Sequence, residues 1–186
     1  SIQKNMAQSY LIQNIQIVNE GQIQIGDVLV ENGLIAKIGE SLNAIDRLTI
    51  DGSGKFLLPG VIDGQVHFRD PGLTHKADVS SESKAAIAGG ITSYIDMPNT
   101  RPNVLSQKVL DAKYENAKGR SWANYCFLLG VNGSNIDDVI AMDTSNHLAV
   151  TNDGLYFSDK GNILADQPEM LEKLFANCKS IVAIHS

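Results

Sequence analysis

The stretch GVIDGQVHFRDPG, residues 60–72, follows an apolar run and holds Asp63, Gln65, His67 and Arg69 at alternate positions before a Pro-Gly stop. A hydrolytic metal centre would ask for two histidines one residue apart here; His67 fills the second place and Gln65 the first. Three later segments end on chemically capable residues in the same way: Asp96 and Asn99 in SYIDMPNT, Asp153 in AVTND and His185 in IVAIHS. Two imidazoles and nearby acids converging on one point make the N and O donor set of a catalytic metal. Singly, each has a plainer reading. A histidine ending a buried strand is usually a hydrogen-bonded core group, Asn99 after Pro98 suits a turn, and Arg69 could pair with Asp70 or Asp78 as well as fork onto a substrate carboxylate.

The elements that must position these residues are legible in the hydrophobic pattern. Up to residue 56, YLIQNIQIV and IQIGDVLVENGLIAKIG alternate apolar with polar residues and contain an Asn32-Gly33 turn, which predicts a small antiparallel β module. From residue 57, FLLPGVI, GITSYIDM, WANYCFLLG and SIVAIHS are near-continuous apolar runs, as suits strands buried on both faces of a parallel sheet. A weaker strand is expected near residues 148–157. Helical patterns lie between them: VSSESKAAIAGG with serine caps and a Gly89-Gly90 end, a segment from Ser106 through Ala117, a short one from Ile136 to Met142, and one capped by Asp166. In the last, Pro168 lies in the first turn, Glu169 follows three residues after the cap, and Met170, Leu171, Leu174 and Phe175 form the apolar face. Strands alternating with helices predict an α/β chain of the (β/α) TIM-barrel kind, with about five barrel strands in residues 57–186 and a β-sandwich segment in residues 1–56. In such a barrel, functional side chains stand at the C-terminal ends of the strands.

Composition narrows the function classes. The 186 residues are 43% hydrophobic and 19% charged, with a net charge of −6 and no lysine-arginine cluster, which argues against nucleic-acid binding. No apolar run is long enough for a membrane span and no signal-peptide pattern is seen, so a cytoplasmic enzyme or binding domain is expected. Cys126 and Cys178 fit no metal or redox spacing and are expected as reduced thiols.

LLPGVIDGQVHFRDPGLTHK, SESKAAIAGGITSYIDMPNT, GNILADQPEMLEKLF and IVAIHS, in this order and spacing, resemble a dihydroorotase of the amidohydrolase superfamily. The resemblance implies a metal-dependent barrel with one or two zinc ions. The activity it implies is reversible closure of N-carbamoyl-L-aspartate, a small-molecule substrate, to dihydroorotate in pyrimidine biosynthesis. It carries Arg69 and Asn99 over as binders of the substrate carboxylate and His67 and His185 as metal ligands, with Asp153 and Gln65 as further candidates. It also implies association with aspartate carbamoyltransferase, while a homodimer is the expectation from the open edges of a half barrel.

Departures from the family pattern are informative. Gln65 stands where the first histidine is usual, and an ungapped count puts Asp153 where a bridging lysine is usual, so at most one zinc is expected. The family's sixth-strand histidine and catalytic eighth-strand aspartate fall after Ser186, so no catalytic acid is assigned within these residues. A closed barrel takes ~250 residues, and a half barrel would have to belong to a longer chain, dimerise or pair with another protein. Two alternatives accompany the enzyme reading: a catalytically impaired structural or regulatory partner, and a hydantoinase- or allantoinase-like cyclic amidase.

Overall fold

The computed structural model describes residues 9–43, 45, 47–155 and 167–185. It is an α/β structure that divides between Pro59 and Gly60 into two compact units.

The first unit is a five-stranded sheet of β1 (Tyr10–Asn19), β2 (Gln22–Glu31), β3 (Leu34–Gly39), β4 (Leu48–Asp51) and β5 (Phe56–Leu57). Strands β1 to β3 form antiparallel hairpins. The predicted Asn32-Gly33 turn has both residues at positive φ, 53° and 78°, which matches the right-handed twist of the flanking strands. The sheet is mixed rather than antiparallel, because β4 and β5 both pair in parallel with β1. They follow one another along its edge where β1 breaks register between Ile12 and Ile15, and a turn from Gly52 to Lys55 bridges the break. FLLPGVI is therefore not one strand: Phe56 and Leu57 belong to this sheet, and a new strand begins after Pro59. Leu11, Ile15, Ile17, Val28 and Leu42 are among its buried residues, and the buried Asp27 carboxylate accepts from the backbone amides of Asn14 and Leu42.

The second unit alternates β6 (Val61–Val66), α1 (Val79–Ala88), β7 (Ile91–Asp96), α2 (Gln107–Ala117), β8 (Asn124–Phe127), β9 (Leu129–Gly130), α3 (Ile136–Ala141), β10 (Ala149–Thr151), α4 (Pro168–Asn177) and β11 (Ile181–Ala183). The strands form two parallel sheets, β6-β7-β8 and β9-β10-β11, with Leu128 alone between β8 and β9. Helix α1 is capped by Asp78, two residues before the first of the expected serines, in a reciprocal box with Ser81, and ends at Gly89 followed by Gly90 at φ 90°. Helix α2 starts at Ser106 as its pattern predicts. Helix α4 has Gln167 at its cap and Pro168 at its first position; the expected cap Asp166 lies outside the described residues. Its Leu174 is buried, whereas Phe175 is exposed rather than part of the apolar face.

Central strands β9 and β10 are fully buried, as continuous apolar runs require. Strands β6 and β11 differ from that expectation: at the ends of the series they leave Val61, Ile62 and Ile181 more than half exposed. Between these limits Leu110, Phe127, Leu129, Val131, Val150 and Leu174 form the core, with the Tyr114 ring tilted against that of Phe127 at 4.8 Å between centres. No helix among the described residues is long and apolar enough to cross a membrane. Cys126 and Cys178 are half-buried free thiols.

The core also contains a charge pair. Lys113 and Asp96 are 1% and 0% exposed, with Nζ 2.8 Å from Oδ2. The ammonium aligns its hydrogen bond on the Met97 carbonyl at 2.9 Å and lies 4.7 Å from the Phe127 ring centre. The other Asp96 oxygen accepts from the Phe68 amide at 3.0 Å. Burial pushes the Lys113 pKa down, opposed by the Asp96 charge. Removing one partner strands the other charge, so Lys113→Ala is expected to lower the unfolding free energy by about 3–5 kcal/mol in urea titrations. A loss below about 1 kcal/mol would show the pair to be dispensable.

Candidate functional site

The residues singled out by type and spacing come together at the strand ends. His67, one residue past β6, directs Nε2 at Asp153 Oδ2 across 3.3 Å, and His185, two past β11, directs Nδ1 at Asp153 Oδ1 across 3.2 Å. Gln65 donates its amide Nε2 to Asp153 Oδ2 at 2.6 Å. Asp153 itself is buried and held by its own amide donating to Thr151 Oγ1. Three strands thus converge on one carboxylate. A cavity of about 180 Å³, lined by Gln65, Asp153, His185, Met97 and Leu128 among others, opens beside it.

Asn99 joins this cluster to a second one. Its Oδ1 lies 2.9 Å from His67 Nδ1. With a carbonyl oxygen as partner, Nδ1 carries the proton and donates, which leaves Nε2 as the atom facing Asp153. Asn99 is buried, and Gly154 allows its position: a Cβ at residue 154 would fall 2.2 Å from Asn99 Nδ2, and the backbone there has φ 72°. Asn99 and Gly154 also line a cavity of about 270 Å³ together with Arg69 and Thr100.

Arg69 has a backbone φ of 64°, a left-handed conformation that is costly for a residue with a Cβ and is found preferentially where geometry serves a site. The ion pairs open to it from sequence are both taken. Asp70 is buried against Arg120 Nη2 at 2.7 Å, Asn116 Nδ2 at 2.9 Å and the Val79 amide at 3.2 Å, while Asp78 caps α1. The Arg69 guanidinium is left at the cavity with no carboxylate partner among the described residues.

Two strand-end acids do not reach the site. Asp96 points into the core toward Lys113, and Asp63 accepts the Gln65 amide in a local turn. Several positioning residues were missed by sequence reasoning. Asn152 donates to the His185 carbonyl at 3.2 Å and accepts its amide at 2.8 Å, so it clips the end of β11 beside β10. A polar residue directly after a buried strand was the available signal for Asn152. Nothing local distinguished Arg120 or Gly154, whose partners lie 50 and 55 residues away.

Residues 54–174 match the family model described as dihydro-orotase-like. The chain belongs to the dihydro-orotase-like family. It is 38% identical over 149 residues to a dihydroorotase of Carboxydothermus hydrogenoformans, covering 78% of this chain and 35% of that protein. It is 39% identical over 133 residues to a dihydroorotase of Trichlorobacter lovleyi, covering 69% of this chain and 31% of that one. Among solved structures, the L-hydantoinase (dihydropyrimidinase) of Arthrobacter aurescens superposes with a TM-score of 0.83 at 26% identity, over 95% of this chain and 40% of the other. The chain spans about a third of the length of the dihydroorotases it matches.

Family membership raises the zinc that the resemblance implies, and the side chains test it. Two imidazoles and a carboxylate are suitable donors. They face one another rather than a shared point: each imidazole meets a different Asp153 oxygen, and Gln65 presents its NH₂ instead of a ligating oxygen. Among the described residues, no three His, Cys, Asp or Glu side chains are disposed to hold a metal ion. As arranged, the cluster does not fit a metal centre.

Gly154→Ala is expected to push Asn99 off His67 and to cost about 1–3 kcal/mol of stability. Nitrogen-detected NMR of the imidazoles checks the first effect, since His67 Nδ1–H should lose its protection from exchange. An unchanged His67 signal would show that the Asn99 seat is not needed.

Proposed function

We propose that this chain is the N-terminal part of a dihydroorotase-type cyclic amidohydrolase that interconverts N-carbamoyl-L-aspartate and dihydroorotate. The observation that carries this reading is Arg69. Held in a costly backbone conformation, and with no carboxylate partner among the described residues, it is read as a carboxylate receptor lining a cavity with Asn99, which contacts His67. Hydantoin and dihydrouracil rings themselves carry no carboxylate, so the hydantoinase-like reading gives Arg69 no such group to bind. On the proposed reading the guanidinium and the Asn99 amide orient the substrate carboxylate and turn its ring amide toward His67. Asn99 holds the His67 tautomer while it does so.

The same reading takes β6 through β11 as the first five strands of a TIM-type barrel, with β8 and β9 as one strand, and residues 1–56 as a β-sandwich segment. The sequential parallel order and the four intervening helices support it. Residues 57–186 are then the partial barrel. The reading includes a cytoplasmic setting and a homodimer or, from the family resemblance, an aspartate carbamoyltransferase partner; size-exclusion chromatography with and without that enzyme tests the partners.

Of the implied metal chemistry the reading keeps at most one zinc per chain; His67 and His185 with Asp153 or Gln65 are the donors present, and they would have to turn from one another toward a shared point to hold it. The Gln65–Asp153 hydrogen bond favours the second reading, a catalytically impaired partner that keeps the substrate grip. Zinc analysis of purified protein is expected to give about one ion or fewer per chain; two tightly held ions would refute the account of Gln65 and Asp153. Calorimetric titration is expected to show dihydroorotate binding that Arg69→Ala weakens about tenfold to a hundredfold. Equal affinity in the variant would remove Arg69 from the site and with it the main support for the activity.

A further inference from the structure

The sequence leaves Arg69 two candidate acids, Asp70 and Asp78, and in the folded chain one other cation acts on both. Arg120 Nη2 lies 2.7 Å from Asp70 Oδ2. The Asp78 carboxyl is held below the usual carboxylate range chiefly by the Ser81 amide, and the Arg120 charge adds to that effect.

Arg120 stands three residues past the end of α2, directly after Gly119 at φ 72°. Its amide donates to the Ala117 carbonyl at 3.0 Å, and its Nη1 donates to the carbonyl and the side-chain Oδ1 of Asn116 at 3.1 and 3.0 Å. Asn116 Nδ2 donates in turn to Asp70 Oδ1 at 2.9 Å, and the Val79 amide donates to Oδ2 at 3.2 Å. Arg120, Asn116 and Asp70 therefore form a ring in which each side chain contacts the other two. Asp70 is 3% exposed, so an unmatched charge there would act through protein rather than water. Lys113, another cation that senses Asp70, is committed to Asp96 at 2.8 Å. Without Arg120, the cation next in line is Arg69, the neighbour along the chain, whose guanidinium has no carboxylate partner among the described residues. A guanidinium fork engaged by an internal carboxylate is lost to a ligand carboxylate, because both take the same donors.

We propose that Arg120 is a positioning residue for carboxylate recognition: it occupies Asp70 and so keeps Arg69 open to the substrate, without itself lining the cavity. The proposal rests on the dihydroorotase reading, in which Arg69 receives the substrate carboxylate. What matters on this account is the charge of Asp70, which separates the role from simple bracing of the loop.

Calorimetric titration of the chain with dihydroorotate tests this. Arg120→Met, which removes the charge and keeps most of the stem, is expected to weaken binding about tenfold. Adding Asp70→Asn removes the acid that diverts Arg69 and is expected to return the affinity to within about threefold of the unaltered chain. Arg120→Lys keeps the charge and is expected to stay within about threefold as well. In an Arg69→Ala background, Arg120→Met is expected to cause no further loss, because the two act through one group. A brace would behave otherwise. A double variant that binds as weakly as Arg120→Met, a similar loss in Arg120→Lys, or unchanged binding in Arg120→Met overturns this inference while the dihydroorotase reading stands. If circular dichroism shows Arg120→Met unfolded, Arg120→Lys and the double variant decide by themselves. If the unaltered chain binds no dihydroorotate, that reading is overturned and this inference with it.

Discussion

The site depends on one buried carboxylate. Asp96 ends β7 inside the core and ties three elements to itself: the Phe68 amide just past β6, the Lys113 ammonium of α2, and, through that ammonium, the carbonyl of the next residue, Met97. His67 and Arg69 flank Phe68, and Asn99 follows Met97 by two residues. The two strand ends that present the candidate chemistry are thus held in register by a charge pair beneath them. A buried pair of this kind is a poor source of net stability, and its use here lies in fixing which strand ends and helix meet.

Above that pair the side chains separate into two functions that share a wall. Asp153 and Gly154 are consecutive, yet the first closes the histidine cluster and the second backs Asn99 at the arginine-lined cavity. Asn99 touches both, through His67 on one side and the cavity on the other. Occupancy of the cavity can therefore be felt at the imidazole through a single amide. The Asp70–Arg120 contact keeps Arg69 available by satisfying the acid next to it.

Much of this was legible along the chain. The Asn32-Gly33 hairpin, the Ser106 start of α2, Gly89-Gly90 after α1 and Pro168 at the head of α4 are local signals whose physics needs few neighbours, and each has its expected place. The misreadings arose where tertiary pairing overrode a local pattern. Phe56 and Leu57 read as the start of a buried parallel strand and instead complete the first sheet, because β1 offers a free edge beyond its bulge. Asp96 read as a strand-end functional acid and proved to be the core partner of Lys113 on α2.

What the sequence determined by itself was the list of chemical groups and the periodicities that put them at strand ends, since strand alternation and turn chemistry act over a few residues. Only the tertiary structure decided their partners. That His67 and His185 meet the two oxygens of Asp153, that Arg120 rather than Arg69 takes Asp70, and that Arg69 and Arg101 share one cavity are contacts across 32 to 86 residues of chain. Charges pair by distance in space, and chain separation of that order leaves no trace in local pattern.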